Sequence, residues 1–456
     1  MATKPKIKTQ FFCQECGHES AKWLGKCPSC EAWNSFAEET FSKTSREREK
    51  SGFLTLGSDK PVTLDSISLD ATPRYQTKML ELDRVLGGGV VPGTLTLFGG
   101  DPGIGKSTLV LQILDDLMKN NVSVLYVTGE ESKEQIKMRA ERLGVTSNIT
   151  LIAENDLDKI LAHATELKPQ ILVIDSIQTI YLPHLESAPG SVSQVRESAG
   201  KLLYFSKSSM MSTLLIGHVT KDGAIAGPRI LEHMVDCVLY FEGEATGQFR
   251  ILRTIKNRYG STNEIGVFEM TAKGLKEISN PSQVFLRDKT MQSAGACVTA
   301  TIEGTRAILT EVQALVTGSG LATPRRTTIG VDHNRVALLI AVAEKIGGFK
   351  LYDQDVYMSA TGGLKLTEPA CDVALLLSLI SSFRNKVLPG HLVALGEIGL
   401  SGEIRAVGYA DKRLQEAVKM GYKTIVLPKS SRYEGRFEGA EIITVDHVHH
   451  LLDLFF

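Results

Sequence analysis

Residues Gly100-Asp101-Pro102-Gly103-Ile104-Gly105-Lys106-Ser107 fit the pattern G-x-x-x-x-G-K-[ST] in full. An apolar run, Leu95 to Phe98, precedes them and a stretch of helical periodicity follows, the context this motif needs. The chemistry it implies is capture of nucleotide phosphates. Glycines there let successive backbone N–H groups turn inward at the positive end of a helix. Lys106 would reach the β- and γ-phosphates of ATP, the Ser107 hydroxyl would ligate Mg²⁺, and Thr108 completes the nucleotide-binding set. Hydrolysis needs two further acids, one near the metal and one to orient water. Ile171-Leu172-Val173-Ile174-Asp175 is an apolar strand ending in an acid, so Asp175 is expected on the metal side. Gly129-Glu130-Glu131-Ser132 ends a second such strand, and the carboxyl ends of strands in α/β sheets face the ligand crevice. Glu130 is the expected water-positioning base, with Glu131 as the alternative.

A second chemistry is metal binding. Cys13-Gln14-Glu15-Cys16 and Cys27-Pro28-Ser29-Cys30 form CxxC-x10-CxxC. Each pair supplies one edge of a tetrahedron, and Cys13, Cys16, Cys27 and Cys30 together make a closed four-cysteine site for a structural Zn²⁺. A redox dithiol would need only one pair. Trp23 and Trp33 are expected to pack this small core rather than to stack on bases.

The elements that must hold these groups follow from the pattern of the chain. Its 456 residues suggest about three domains. With 43% hydrophobic and 23% charged residues it is a folding composition, far from that of a disordered chain. Lys+Arg at 51 against Asp+Glu at 52 leaves a net charge of -1, so any nucleic-acid contact must be local. No apolar run approaches the roughly 20 residues of a membrane helix, and neither a span nor an export signal is read, so a cytoplasmic protein is expected. We expect a four-cysteine zinc finger over 1–37, a polar linker over 38–63, a P-loop domain over 64–283 and an α+β domain over 284–456. Within 64–283, apolar strands at 94–98, 122–128, 149–153, 171–175 and 213–217 alternate with helical stretches, which predicts a mostly parallel, α/β sheet. The runs 237–242, 248–256 and 266–270 lack intervening helices and read as an antiparallel extension.

The run Leu82-Asp83-Arg84-Val85-Leu86-Gly87-Gly88-Gly89 before the phosphate loop, with Gly129-Glu130-Glu131-Ser132 after it, resembles the RecA-type ATPases and specifically their bacterial RadA/Sms DNA-repair branch. That branch carries Lys-Asn-Arg-Phe-Gly, present here as Lys256-Asn257-Arg258-Tyr259-Gly260, and is headed by the same finger. The resemblance implies that Lys256 and Arg258 act on the γ-phosphate held by a neighbouring subunit. It places His218, after the strand ending at Gly217, where RecA-like proteins carry a polar γ-phosphate sensor, and makes the Gly-rich stretch 220–228 similar to a DNA-facing loop. It further implies a DNA-dependent ATPase working as a ring, a hexamer, on single-stranded or branched DNA, promoting branch migration alongside the RecA recombinase. The rival readings are an ATP-regulated scaffold or signalling protein and an ATP-dependent protease.

The protease reading arises because Gly396 to Val407 and Thr424 to Pro428 are similar to the proteolytic domain of Lon proteases. Lon pairs a Ser nucleophile with a Lys base. Those places hold Ala370 and Asp411 here, and Cys371 beside Ala370 has no base placed for it, so a non-proteolytic domain is expected. Arg325, Arg326, Arg335, Lys345, Arg384 and Lys386 are its candidate contacts to a phosphate backbone.

Overall fold

The computed structural model describes residues 7–13, 18–29, 31–42, 63, 65, 74–218, 228–243, 248–262, 264–286, 293–320 and 323–456. The chain divides into two compact units, Met1–Ile278 and Ser279–Phe456.

The first unit begins with a three-stranded antiparallel ribbon, β1 (Ile7–Cys13), β2 (Glu19–Ser20) and β3 (Phe36–Ser42), in the order β2-β1-β3. β3 runs into the stretch read as linker, because its ladder with β1 continues to the pair Ile7 and Ser42. Cys13, Cys27 and Phe36 are the buried residues of this ribbon, with Phe11 and Leu24 packed against them. Trp23 and Trp33 are not core residues, contrary to the sequence expectation: they are 52% and 72% exposed. The core is already closed by the two thiols and Phe36, and Lys26 Nζ sits 6.0 Å from the Trp33 ring centroid.

The rest of this unit is built on one nine-stranded sheet. Its elements are α1 (Leu80–Leu86), β4 (Leu95–Gly99), α2 (Lys106–Lys119), β5 (Val124–Thr128), α3 (Lys133–Leu143), β6 (Thr150–Ala153) and α4 (Leu157–Leu167). They continue with β7 (Ile171–Asp175), α5 (Val192–Ser209), β8 (Ser212–Ile216), α6 (Pro228–Met234), β9 (Cys237–Glu242), β10 (Phe249–Asn257), β11 (Ile265–Thr271) and β12 (Gly274–Glu277). Strand order is β12-β11-β10-β9-β4-β8-β7-β5-β6. β4 to β9 run parallel, and β9 to β12 extend the sheet antiparallel. The central strands β4, β5, β7 and β8 are buried at every position, as expected for a sheet covered on both faces. Two cores result: one includes Leu109, Val110 and Leu114 of α2, the other Leu157 and Leu161 of α4 with Val195 and Leu202 of α5.

In the second unit, α7 (Pro281–Phe285), β13 (Ala296–Glu303), β14 (Arg306–Gly318), β15 (Arg326–Ile329), α8 (His333–Lys345), β16 (Gln354–Ala360) and α9 (Asp372–Arg384) are followed by β17 (Leu392–Ala394), β18 (Glu397–Ile398), β19 (Ile404–Arg405), α10 (Ala410–Lys419), β20 (Thr424–Pro428), β21 (Glu441–Val445) and α11 (Val448–Phe455). A mixed sheet of order β15-β16-β14-β13-β17-β20-β21 carries them, with β18 and β19 pairing apart. α9 is buried from Asp372 through Ser381, which explains its mostly apolar sequence. No helix among the described residues is long and apolar enough to cross a membrane.

Candidate active site

β4, β8, β7 and β5 are neighbours in that order, and the carboxyl end of each delivers one part of the site. β4 runs into the phosphate loop 100–107. Gly105 closes this loop in the left-handed region at φ 115°, where a Cβ would stand 2.8 Å from Met270 Cε. α2 begins at the next residue, Lys106. Behind the loop, buried Arg250 of β10 donates its Nε–H to the Ile104 carbonyl at 3.0 Å.

Lys106 is 3% exposed and its ammonium donates to the carbonyls of Gly100 and Asp101 at 2.8 and 3.0 Å. Burial pushes it down to about 8, against the pull of Asp175, Asp101 and Glu130. His218 Nδ1 lies 3.2 Å from Lys106 Nζ, and His218 Nε2 lies 3.4 Å from Glu130 Oε1. Glu130 also accepts the Ser176 hydroxyl. Its carboxyl is held below the usual range, first by His218 and then by Ser176, against the cost of burial. Lys106, His218, Glu130 and Ser176 thus form one continuous polar chain across the ends of β4, β8, β5 and β7.

Asp175 ends β7 and is 8% exposed. It accepts the Tyr126 hydroxyl, and the Ser107 hydroxyl is a second donor; burial nonetheless pushes its pKa up. Ser107 and Asp175 therefore present two hard oxygen ligands to one point, a donor pair that fits Mg²⁺. Glu131 turns away: it pairs with Arg139, and its backbone is fastened at both N–H and C=O by Thr128 Oγ1. The Gly129 turn that aims Glu130 is held by Asn155, whose Nδ2 donates to the Gly129 carbonyl at 3.0 Å.

Lys106, Ser107, Glu130, Asp175 and His218 are thus brought together, while Lys256 and Arg258 are not among them. Asn257 pairs with Cys237, which pairs with Thr96 near the start of β4. Gly100 lies four residues beyond Thr96, about 13 Å along the strand at ~3.3 Å per residue. Lys256 and Arg258 therefore stand at the opposite end of the sheet from their own phosphate loop. Lys256 Nζ donates to the Glu232 and His233 carbonyls at 2.8 and 3.2 Å. Arg258 is half exposed, 3.6 Å from Asp236. Two of the stretches that carried the family resemblance, 82–89 and 256–260, pack together here. A Cβ on Gly260 would meet Gly87 Cα at 2.8 Å, Thr254 Oγ1 donates to the Val85 carbonyl at 2.8 Å, and Arg74 bridges the Gly87 and Tyr259 carbonyls at 2.5 and 2.8 Å.

Tyr126, Ser176, Asn155, Arg250 and Arg74 escaped the sequence reading. Arg250 left a signal, being a charge inside the otherwise apolar run Phe249-Arg250-Ile251-Leu252. Tyr126 left none, since a Tyr in an apolar strand reads as core.

Cys13 and Cys27 are fully buried in one cluster, and Cys27 heads a tight turn in which the Glu31 amide donates to its carbonyl at 2.9 Å. Two thiols held together in so small a core fit half of a four-cysteine zinc site; Cys16, Cys30 and the stretch 220–227 lie outside the described residues.

In the second unit, Ala370 and Cys371 are buried, and burial pushes the Cys371 thiol up to about 12. Asp411 accepts the Glu434 and Gly435 amides, both at 3.0 Å. Of the basic candidates there, Arg335 is spent on Asp372, Arg326 on the Leu351 and Gln354 carbonyls, and Arg384 lies over the Phe349 ring.

A phosphate loop on the central strand of a mostly parallel sheet, with acids at the ends of two further parallel strands, defines a P-loop ATPase of the RecA-like type. Residues 68–224 match the family model described as an AAA domain, and residues 11–38 match the rubredoxin metal-binding domain. The chain is 51% identical over 427 residues to the DNA repair protein RadA of Halalkalibacterium halodurans, covering 93% of each. It is 48% identical to the RadA of Bacillus subtilis, covering 97% of each, and 48% identical to that of Pseudomonas aeruginosa, covering 99% of each. The chain belongs to the RadA family of DNA repair proteins.

Proposed function

We propose that this chain is a DNA-dependent ATPase that assembles as a ring, a hexamer, and moves on single-stranded or branched DNA in recombinational repair, promoting branch migration alongside the RecA recombinase. The observation that carries this reading is the division of the hydrolytic groups. Lys106, Ser107, Glu130, Asp175 and His218 gather at one end of the sheet, and the basic pair Lys256 and Arg258 stands at the other. Head-to-tail packing of copies would bring one chain's basic pair to the next chain's phosphate loop, and head-to-tail contacts form a ring when the rotation between neighbours closes.

In this mechanism Lys106 leaves the Gly100 and Asp101 carbonyls for the β- and γ-phosphates. Ser107 and Asp175 hold Mg²⁺, which supplies charge neutralisation at the phosphate oxygens. Glu130, kept ionised and fixed by Ser176, orients the attacking water and takes its proton. His218, lying between Lys106 and Glu130, is where a γ-phosphate would be sensed, one residue before the stretch 219–227. Lys256 and Arg258 of a neighbour stabilise the charge that develops on the transferred phosphoryl, so hydrolysis depends on assembly. A trans-acting cation of this kind contributes about 10³–10⁵ in rate. The Zn²⁺ site is structural.

The test is steady-state ATP hydrolysis with and without single-stranded DNA, using Lys106→Ala as the blank and Lys256→Ala as the probe. Stimulation by DNA that Lys256→Ala abolishes, with nucleotide affinity retained, is the expected result. Equal rates with and without DNA refute the motor.

A further inference from the structure

Asp236, between α6 and β9, is fully buried. Its Oδ2 accepts the amide of Leu95, the first residue of β4, at 3.1 Å, which fixes the carboxylate to the base of the strand that leads to the phosphate loop. Its Oδ1 has no hydrogen-bond partner among the described residues. Two cations flank that oxygen at ion-pair distance, Lys207 Nζ at 3.5 Å and Arg258 Nη1 at 3.6 Å. Lys256 belongs to the same electrostatic group: its ammonium is lowered by burial and by Arg258, with Lys207 acting the same way and Asp236 and Glu232 opposing. Three cations therefore crowd one buried acid, and Glu232 is already engaged by the Tyr240 hydroxyl at 3.0 Å. Lys207 sits in the last turn of α5, where a helix end favours a cation, and lines a cavity of about 600 Å³ together with Arg74 and Tyr259.

Like charges held this close repel one another, and one carboxylate does not neutralise all three. A terminal phosphate, with up to two charges and three acceptor oxygens, supplies the rest. We propose that Lys207 is a third phosphate-contacting cation acting with Lys256 and Arg258, that Asp236 is the positioning residue for Lys207 and Arg258, and that the ligand is the terminal phosphate of a nucleoside triphosphate held by a second copy of this chain. This rests on the ring-ATPase reading above. Asp236 keeps the two head groups at one place on the surface without consuming their hydrogen bonds, so they remain available to phosphate oxygens. Because the same carboxylate holds Leu95, the cations keep a fixed height relative to the sheet.

The experiment uses the full chain. Lys207→Gln is expected to lower the turnover of ATP at least tenfold while its Kd for ATP stays within twofold. Asp236→Asn is expected to lower turnover likewise, with the same unchanged Kd. An equimolar mixture of Lys207→Gln with Lys106→Met should hydrolyse more ATP than the two measured apart, because a Lys106→Met chain offers intact cations to the intact loop of a Lys207→Gln chain. Lys207 is partly exposed, so Lys207→Gln decides the matter even where Asp236→Asn fails to fold, and a circular-dichroism melt checks both. Loss of turnover in Lys256→Ala with normal turnover in Lys207→Gln overturns this inference and leaves the ring reading standing. Normal turnover in both overturns the ring reading itself. An inactive Lys207→Gln that the mixture does not rescue shows a role within its own subunit and overturns the inference.

Discussion

Arg413 of α10 is 1% exposed, and its guanidinium donates to four acceptor atoms. Nε donates to the Gly408 carbonyl at 2.9 Å, Nη1 to the Ala300 carbonyl and to Glu368 Oε1, and Nη2 to Glu368 Oε2 at 2.7 Å. Glu368 also accepts the Ile302 amide at 2.8 Å, and its side chain is 27% exposed. Glu368 lies two residues along the chain from Ala370 and Arg413 two from Asp411, the two positions the resemblance to Lon singles out. Glu368→Leu strands an arginine that cannot lose its charge, and should cost the second unit about 3–5 kcal/mol. Arg413→Met leaves a carboxylate that water reaches and Ile302 still supports, and should cost about 2–3 kcal/mol. The double variant replaces the ion pair by apolar volume and should lie within about 2 kcal/mol of the parent, a coupling of at least about 3 kcal/mol. Native-state hydrogen exchange of the β13 and β14 amides reads the stability of this unit without requiring the whole chain to unfold in one step. Single-variant losses that add within about 0.5 kcal/mol in the double would refute the reasoning, because independent sites add to that margin.

Tyr126→Phe removes the hydroxyl that holds Asp175 while leaving the ring in its core, so the fold should survive. Losing one hydrogen bond to a carboxylate is worth about 1.5–3 kcal/mol, and the Mg²⁺ concentration for half-maximal ATP hydrolysis should rise about tenfold or more; an unchanged Mg²⁺ titration would show that Tyr126 is only core. Chelation of zinc should release the ribbon alone, since Cys13, Cys27 and Phe36 make too small a core to stand without metal. Exchange protection of the Cys13 and Cys27 amides should vanish while that of β4 persists, and protection that survives the chelator would contradict a zinc-dependent fold.

Local chemistry made much of this protein readable from the sequence. The phosphate loop, the strand-end acids and the paired CxxC turns are contiguous stretches, and each works through backbone geometry that its own few residues impose. The βαβ alternation was readable for the same reason: a strand buried on both faces must be apolar throughout, and the helices between carry their own periodicity, so β7 falls at 171–175, the predicted bounds, and α2 follows the phosphate loop as the motif requires. Trp23 and Trp33 defeated that reasoning, because hydrophobicity does not say which residues a three-strand ribbon has room to bury. What only the tertiary structure decided is which distant residues meet. Glu130 rather than Glu131 faces His218, since the Arg139 pair takes the latter. Ser176 and Tyr126 become ligands of the two acids because β5 lies beside β7, an adjacency made across more than 40 residues of chain. Lys256 and Arg258 stand at the end of the sheet away from Lys106 because β10 runs antiparallel to β9, and strand direction is a property of the sheet, not of the residues in the strand.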